Sequence, residues 1–298
     1  MSDTAPAPAV AEEEGFVAAS AVRPDVHVPG RWHAAIPQGW NSGRGVHGGM
    51  LAATVARAMA AELADPDLAL RTLHVSFLEP PGGNDLVFDT QVARRGGITA
   101  HVRAAGRGHG QDEQAVDAWA LFTRPRTPPD EYLDAEPPTV PGPHGCGGDA
   151  LISFPKSPFG RPGFMDHLDL RTALGVFPWE PAWQPDAPAH YIRWSRFAVP
   201  PTTPDGAIDP LSLLVPGDLP GPSVMMRCSP DEPLLGVLSL EYTVHFLEPP
   251  TDEWLLSDFR ARWMGEGYVL TEADLWSAGR LVAVASQSML VRRMPVTT

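Results

Sequence analysis

The chain has 298 residues, 43% of them hydrophobic, and a formal net charge of -14. That acidity argues against a nucleic-acid binder, which needs a basic face to neutralise phosphates, and any anionic ligand would require a local arginine pocket. Two cysteines, Cys146 and Cys228, make no disulfide framework, and no apolar run approaches the roughly 18 residues of a membrane span, so a cytoplasmic protein is expected.

Residues 1–15 are Ala/Pro-rich and then acidic, without the basic and apolar regions of a secretory signal, and read as a disordered tail. Strand character begins near 27–36. Residues 48–63, GGMLAATVARAMAAEL, are rich in strong helix formers and predict a long helix. Val75–Pro81 then reads VSFLEPP, and VHFLEPP recurs 169 residues later at Val244–Pro250. Leu73, Val75 and Phe77 alternate on one strand face, as Leu240, Tyr242, Val244 and Phe246 do in the second copy. After each copy the layout repeats: strands over 84–95, 98–107 and 113–124, then over 253–264, 267–277 and 280–292, joined by short Gly turns. Between the halves, 127–163 is Pro/Gly-rich and reads as a linker. Strands near 164–175 and 189–197 open the second unit. Asp209-Pro210 then makes an N-cap and N1 pair for a helix through Val215, which Pro216, Gly217 and Pro220 should interrupt.

A long helix followed by an antiparallel meander, twice over, predicts an α+β double hotdog: two fused units, each with a helix wrapped by its sheet. The expected boundaries are 16–126 and 164–298.

The chain lacks a Gly-x-Ser-x-Gly elbow, a phosphate-cradling Gly-x-x-x-x-Gly-Lys loop and histidines at metal-ligand spacing. No metal or other cofactor is expected. Gln287 shares a strand face with Leu281, Ala283, Ala285, Met289 and Val291. An amide there costs free energy unless it is hydrogen-bonded, through a functional contact or a backbone one. At the repeat offset its counterpart is Ala118. Ser239 opens the strand of the second repeat, on a face with Glu241, Thr243 and His245, and its counterpart is Leu70. Alone it reads as a solvated turn residue, and Asp218, in VPGDLPGP, as a local cap. His47-Gly48-Gly49 opens the first helix, where free N–H groups and the helix dipole suit an anion or an oxyanion, or form an ordinary loop-to-helix turn.

With VHGGMLAATVARA (46–58), GDLPGPS (217–223), DEWLL (252–256) and LWSAGRLVAVASQSMLVRR (275–293) in order, the chain resembles the acyl-CoA thioesterase II (TesB-like) family over about 27–126 and 164–293. The resemblance implies a water oriented by Asp218, Ser239 (where the family often has threonine) and Gln287. It also implies a carbonyl polarised near His47, Gly48 and Gly49, an acyl-CoA or related acyl-thioester substrate, and a homo-oligomer. The first half, with Leu70 and Ala118, is then expected to shape the acyl pocket. Three other readings stay open on the residues alone: a hotdog hydratase or dehydratase using His47, a non-catalytic acyl-CoA or lipid binder, and a scaffold.

Overall fold

The computed structural model describes residues 11–43, 45–128, 130–149, 161–229 and 231–294. The first half contains α1 (Phe16–Ala19), β1 (Arg23–Pro24), β2 (Arg31–Ala35), β3 (Asn41–Ser42), β4 (Gly45–Val46), α2 (Gly48–Leu63), β5 (Ala69–Phe77), β6 (Asp85–Arg95), β7 (Thr99–Gly108) and β8 (Val116–Thr123). The second contains β9 (Leu168–Leu174), β10 (His190–Phe197), α3 (Leu214–Gly217), α4 (Gly221–Met225), β11 (Leu235–Phe246), β12 (Leu255–Gly265), β13 (Tyr268–Ser277) and β14 (Arg280–Arg293).

Twelve strands form one sheet in the order β1-β2-β6-β7-β8-β5-β11-β14-β13-β12-β10-β9, and β3 and β4 pair separately. The two halves join where the repeated strands meet, β5 antiparallel to β11. His74 pairs with Thr243, its own counterpart 169 residues on, so the local two-fold relation passes through that pair. The result is a double hotdog.

Helix α2 is buried nearly all round, with Met50, Ala52, Ala53, Val55, Ala56 and Met59 at 0% exposure, as expected of a helix that a sheet wraps. The second helix is broken. The Asp209 side chain caps it by accepting from Leu211 N at 3.0 Å, and a 3-10 turn over Pro210–Leu213 leads into α3. Pro216 sits within the first turn of α3, where its missing N–H costs nothing, and the helix stops at Gly217. The chain restarts as α4 after Pro220. This break leaves Asp218 at the end of α3, facing the start of α2.

Residues 1–10 of the expected tail lie outside the described residues, but Glu12–Glu14 form a 3-10 turn, and Trp40 Nε1 donates to the Glu14 carbonyl at 2.8 Å. Part of the segment between the halves is laid over the outer face of the second half's strands in the twelve-stranded sheet. Ala135 and Val140 pack there against Ile192, Leu256, Trp276 and Leu281, and Trp194 Nε1 donates to the Pro141 carbonyl at 2.9 Å. Leu281 thus departs from the expected inner face of β14.

Candidate active site

A β-bulge builds one wall of the site. In β11, Ser239 pairs with Met289 and Glu241 with Ser288, so Leu240 is the extra residue. The bulge turns Ser239 inward, onto the face of Tyr242, instead of outward with Glu241, Thr243 and His245 as simple alternation predicts. The first half carries the same bulge, with Arg71 the extra residue between Leu70 and Thr72. Gln287 is the cross-strand partner of Tyr242 and points inward beside Ser239.

The opposite wall comes from the helices. Gln287 Nε2 donates to Asp218 Oδ1 at 2.5 Å and to Ser239 Oγ at 2.7 Å. The Gly49 backbone N–H donates to Asp218 Oδ2 at 2.5 Å. The approach requires glycine. A Cβ on Gly48 would lie 2.6 Å from Asp218 Oδ2, and one on Gly49 would lie 2.3 Å from the Leu214 carbonyl oxygen. His47 Nε2 is 3.7 Å from Asp218 Oδ2, and its ring lies against Phe164 with centroids 4.1 Å apart. All six residues singled out in the sequence therefore meet in one cluster. The Gly49 N–H, however, holds the carboxylate and is not free.

The cluster is enclosed: Asp218 and Gln287 are buried and Ser239 is half-buried. Burial pushes the Asp218 carboxyl up to about 7, against the smaller lowering effects of the Gln287 and Gly49 hydrogen bonds. Burial pushes His47 down to about 3, so its imidazole is neutral. Gln287 Oε1 and His47 Nδ1 are buried and meet no partner among the described residues. Two surface clefts of about 410 and 340 Å³ lie elsewhere, one lined by Arg71, Tyr132 and His245, the other by Arg227, Arg262 and Trp263. No group of three or more His, Cys, Asp or Glu among the described residues is arranged to hold a metal ion.

The related position in the first half is built differently. Arg57 follows Gly48 by nine residues, as Asp218 follows Asp209. Arg57 Nη2 donates to Asp209 Oδ2 at 2.6 Å and to Ser20 Oγ at 2.8 Å. Phe16, on the same turn as Ser20, packs against Phe197 and Trp40 with centroids 5.4 and 6.2 Å apart. The counterpart of Ser239 is Leu70, as expected. The counterpart of Gln287 is Ala120, not Ala118, because Leu73 pairs with Ala120 as Tyr242 pairs with Gln287. The β7–β8 connection is longer than the two-residue turn between β13 and β14, and this shifts the offset. One junction of the halves therefore has the Arg57–Asp209 ion pair beside the apolar Leu70 and Ala120, and the other has the Gly49–Asp218 contact beside Ser239 and Gln287. The Arg57–Asp209 pair and Tyr242 escaped the sequence reading. The signal for Tyr242 was available, since it stands where the first repeat has Leu73.

Residues 36–123 match the acyl-CoA thioesterase N-terminal domain and residues 129–291 the acyl-CoA thioesterase C-terminal domain. The chain belongs to the acyl-CoA thioesterase family. It is a thioester hydrolase in consequence, with an acyl thioester as its substrate class. Among solved structures, a conserved hot dog fold protein of unknown function from Alicyclobacillus acidocaldarius is 23% identical with a TM-score of 0.76, over 94% of this chain and 98% of that one. Acyl-CoA thioesterase II TesB2 from Mycobacterium marinum is 22% identical with a TM-score of 0.70, over 95% of this chain and 99% of that one. A tesB protein from Mycobacterium avium subs. paratuberculosis is 15% identical with a TM-score of 0.69, over 93% and 98%. At these identities the likeness shows the fold. No curated protein matches the chain by sequence. No helix among the described residues is long and apolar enough to cross a membrane.

Proposed function

We propose that the thioesterase hydrolyses acyl-CoA with a water held by Asp218, Ser239 and Gln287. The observation that carries this reading is the Gln287 amide donating at once to Asp218 Oδ1 and Ser239 Oγ, 2.5 and 2.7 Å away. Those two bonds leave a complete set of partners for one water. Ionised Asp218 accepts one of its protons, Gln287 Oε1 accepts the other, and the Ser239 hydroxyl donates to one lone pair. The remaining lone pair faces the thioester carbonyl.

As the water attacks, its proton passes to Asp218 and the carbonyl oxygen becomes an oxyanion. The Gly48 N–H, at the positive end of α2, stabilises that charge, and neutral His47 lines the same side. The intermediate then collapses with cleavage of the C–S bond. The thiolate leaves readily and recovers the proton from Asp218, giving a carboxylic acid and free thiol.

Replacing Gln287 by Ala tests the assignment. Thiol release should fall by about 100-fold, the usual scale for a lost transition-state donor, while the melting temperature changes little. Equal losses of rate and stability would reduce Gln287 to a structural residue.

The closeness of His47 to Asp218 also supports a second reading, a histidine–aspartate dyad that adds water to an enoyl thioester. The neutral imidazole stands 3.7 Å from the carboxylate, beyond a hydrogen bond. The family match favours hydrolysis. Loss of enone absorbance without thiol release would support the dyad instead.

A further inference from the structure

Tyr242 is buried at 1% exposure on the inner face of β11, directly opposite Gln287. Its hydroxyl donates to the carbonyl of Leu214, the first residue of α3, at 3.2 Å. At the other end of α3, a Cβ built on Gly217 would lie 2.3 Å from the same hydroxyl oxygen. One phenol therefore touches both ends of the single turn that delivers Asp218. A single helical turn is not stable on its own hydrogen bonds and depends on contacts with the rest of the molecule.

The repeat gives independent support. Three inward positions around the site are polar in the second half, Ser239, Tyr242 and Gln287. Their counterparts Leu70, Leu73 and Ala120 are all apolar. Leucine fills the space beneath a hotdog helix in one half, so packing alone does not call for a phenol in the other. A buried hydroxyl is costly without a partner, and the partner here is the turn that carries the base.

We propose that Tyr242 is a positioning residue, clamping α3 between Leu214 and Gly217 so that Asp218 stays on the Gly49 N–H and the Gln287 amide. This rests on the reading of Asp218 as the base. Without the hydroxyl, the Leu214 carbonyl loses its partner and the turn relaxes. Asp218 then moves off the Gly49 N–H, a bond that favours its ionised form. The carboxyl should become harder to ionise.

The test compares wild type, Tyr242→Phe and Gly217→Ala. In both variants kcat should fall about tenfold with KM within about twofold, as for a misplaced but present base. The acid limb of the rate profile should move up by about half a pH unit or more. A carbon-13 NMR titration of the Asp218 carboxyl, assigned by its disappearance in Asp218→Asn, should move the same way. Tyr242→Phe keeps the ring and decides the matter alone if Gly217→Ala does not fold. A wild type that releases no thiol would defeat Asp218 as base, while the carboxyl titration would still read the clamp. A Tyr242→Phe carboxyl that titrates as in wild type, whatever its melting temperature, would overturn the proposal.

Discussion

Arg57 holds Asp209 at 2.6 Å at the position related by the repeat to the Gly49–Asp218 contact. One junction of the two halves is closed by an ion pair, and the other presents a raised carboxyl to a helix N-terminus. The asymmetry supports one working site per chain. Replacing Arg57 by Ala leaves Asp209, with a side chain only 5% exposed, without its cation. The expected loss is about 2–3 kcal/mol, lower than for a fully buried pair because Arg57 is partly exposed. Urea unfolding measures it, and kcat at saturating substrate should stay within about twofold.

Gly49 tests whether the close approach of the two helices is needed. Its substitution by Ala drives a methyl group into the Leu214 carbonyl, a backbone atom that cannot rotate away. Overpacking of this kind costs about 1–3 kcal/mol, and α3 must shift, taking Asp218 with it. Stability and thiol release should both fall. Gly83→Ala, where a Cβ enters open space, serves as the control and should change neither.

Asp218 should give the stability curve a distinctive sign. Its folded pKa, about 7, lies above the ordinary 3.8. The unfolded chain therefore releases this proton first as the pH rises. The group's contribution is fully present below about pH 4 and is lost progressively as the pH approaches 7. Asp218→Asn removes that penalty. The variant should match wild type near pH 4, gain over it up to about pH 7, and keep a constant advantage above. His47, held down to about 3, works oppositely: its contribution is present above about pH 6.5 and is lost as the pH falls toward 3. In wild type the two slopes offset each other between about pH 4 and 6.5. Removing Asp218 should therefore expose the histidine slope, with stability rising with pH across that window. Melting temperatures of both proteins from pH 4 to 9 check the pattern.

Much of the fold was legible because each half obeys simple periodicity. The helix over 48–63 and the strands of the two meanders fall within a few residues of the expected limits. The candidate site was legible in composition, as polar residues in one repeat and apolar ones in the other, but not in geometry. Counting alternation cannot see the extra residue at Leu240, and that residue turns Ser239 inward. A fixed offset named Ala118 instead of Ala120 because the repeats close their last hairpins with turns of different length. The contact from Gly49 to Asp218 spans 169 residues and depends on where a proline-broken helix stops, which no local pattern specifies.

The most direct measurement is free-thiol release from a panel of acyl-CoAs between pH 5 and 9, for wild type and for Asp218→Asn of confirmed fold. With Asp218 as the base, wild-type kcat/KM should rise about tenfold per pH unit below about 7 and level off above it. The variant should be slower by about 100-fold or more throughout. A variant that keeps the wild-type rate, or a wild-type profile that is flat through pH 7, would contradict Asp218 as the base.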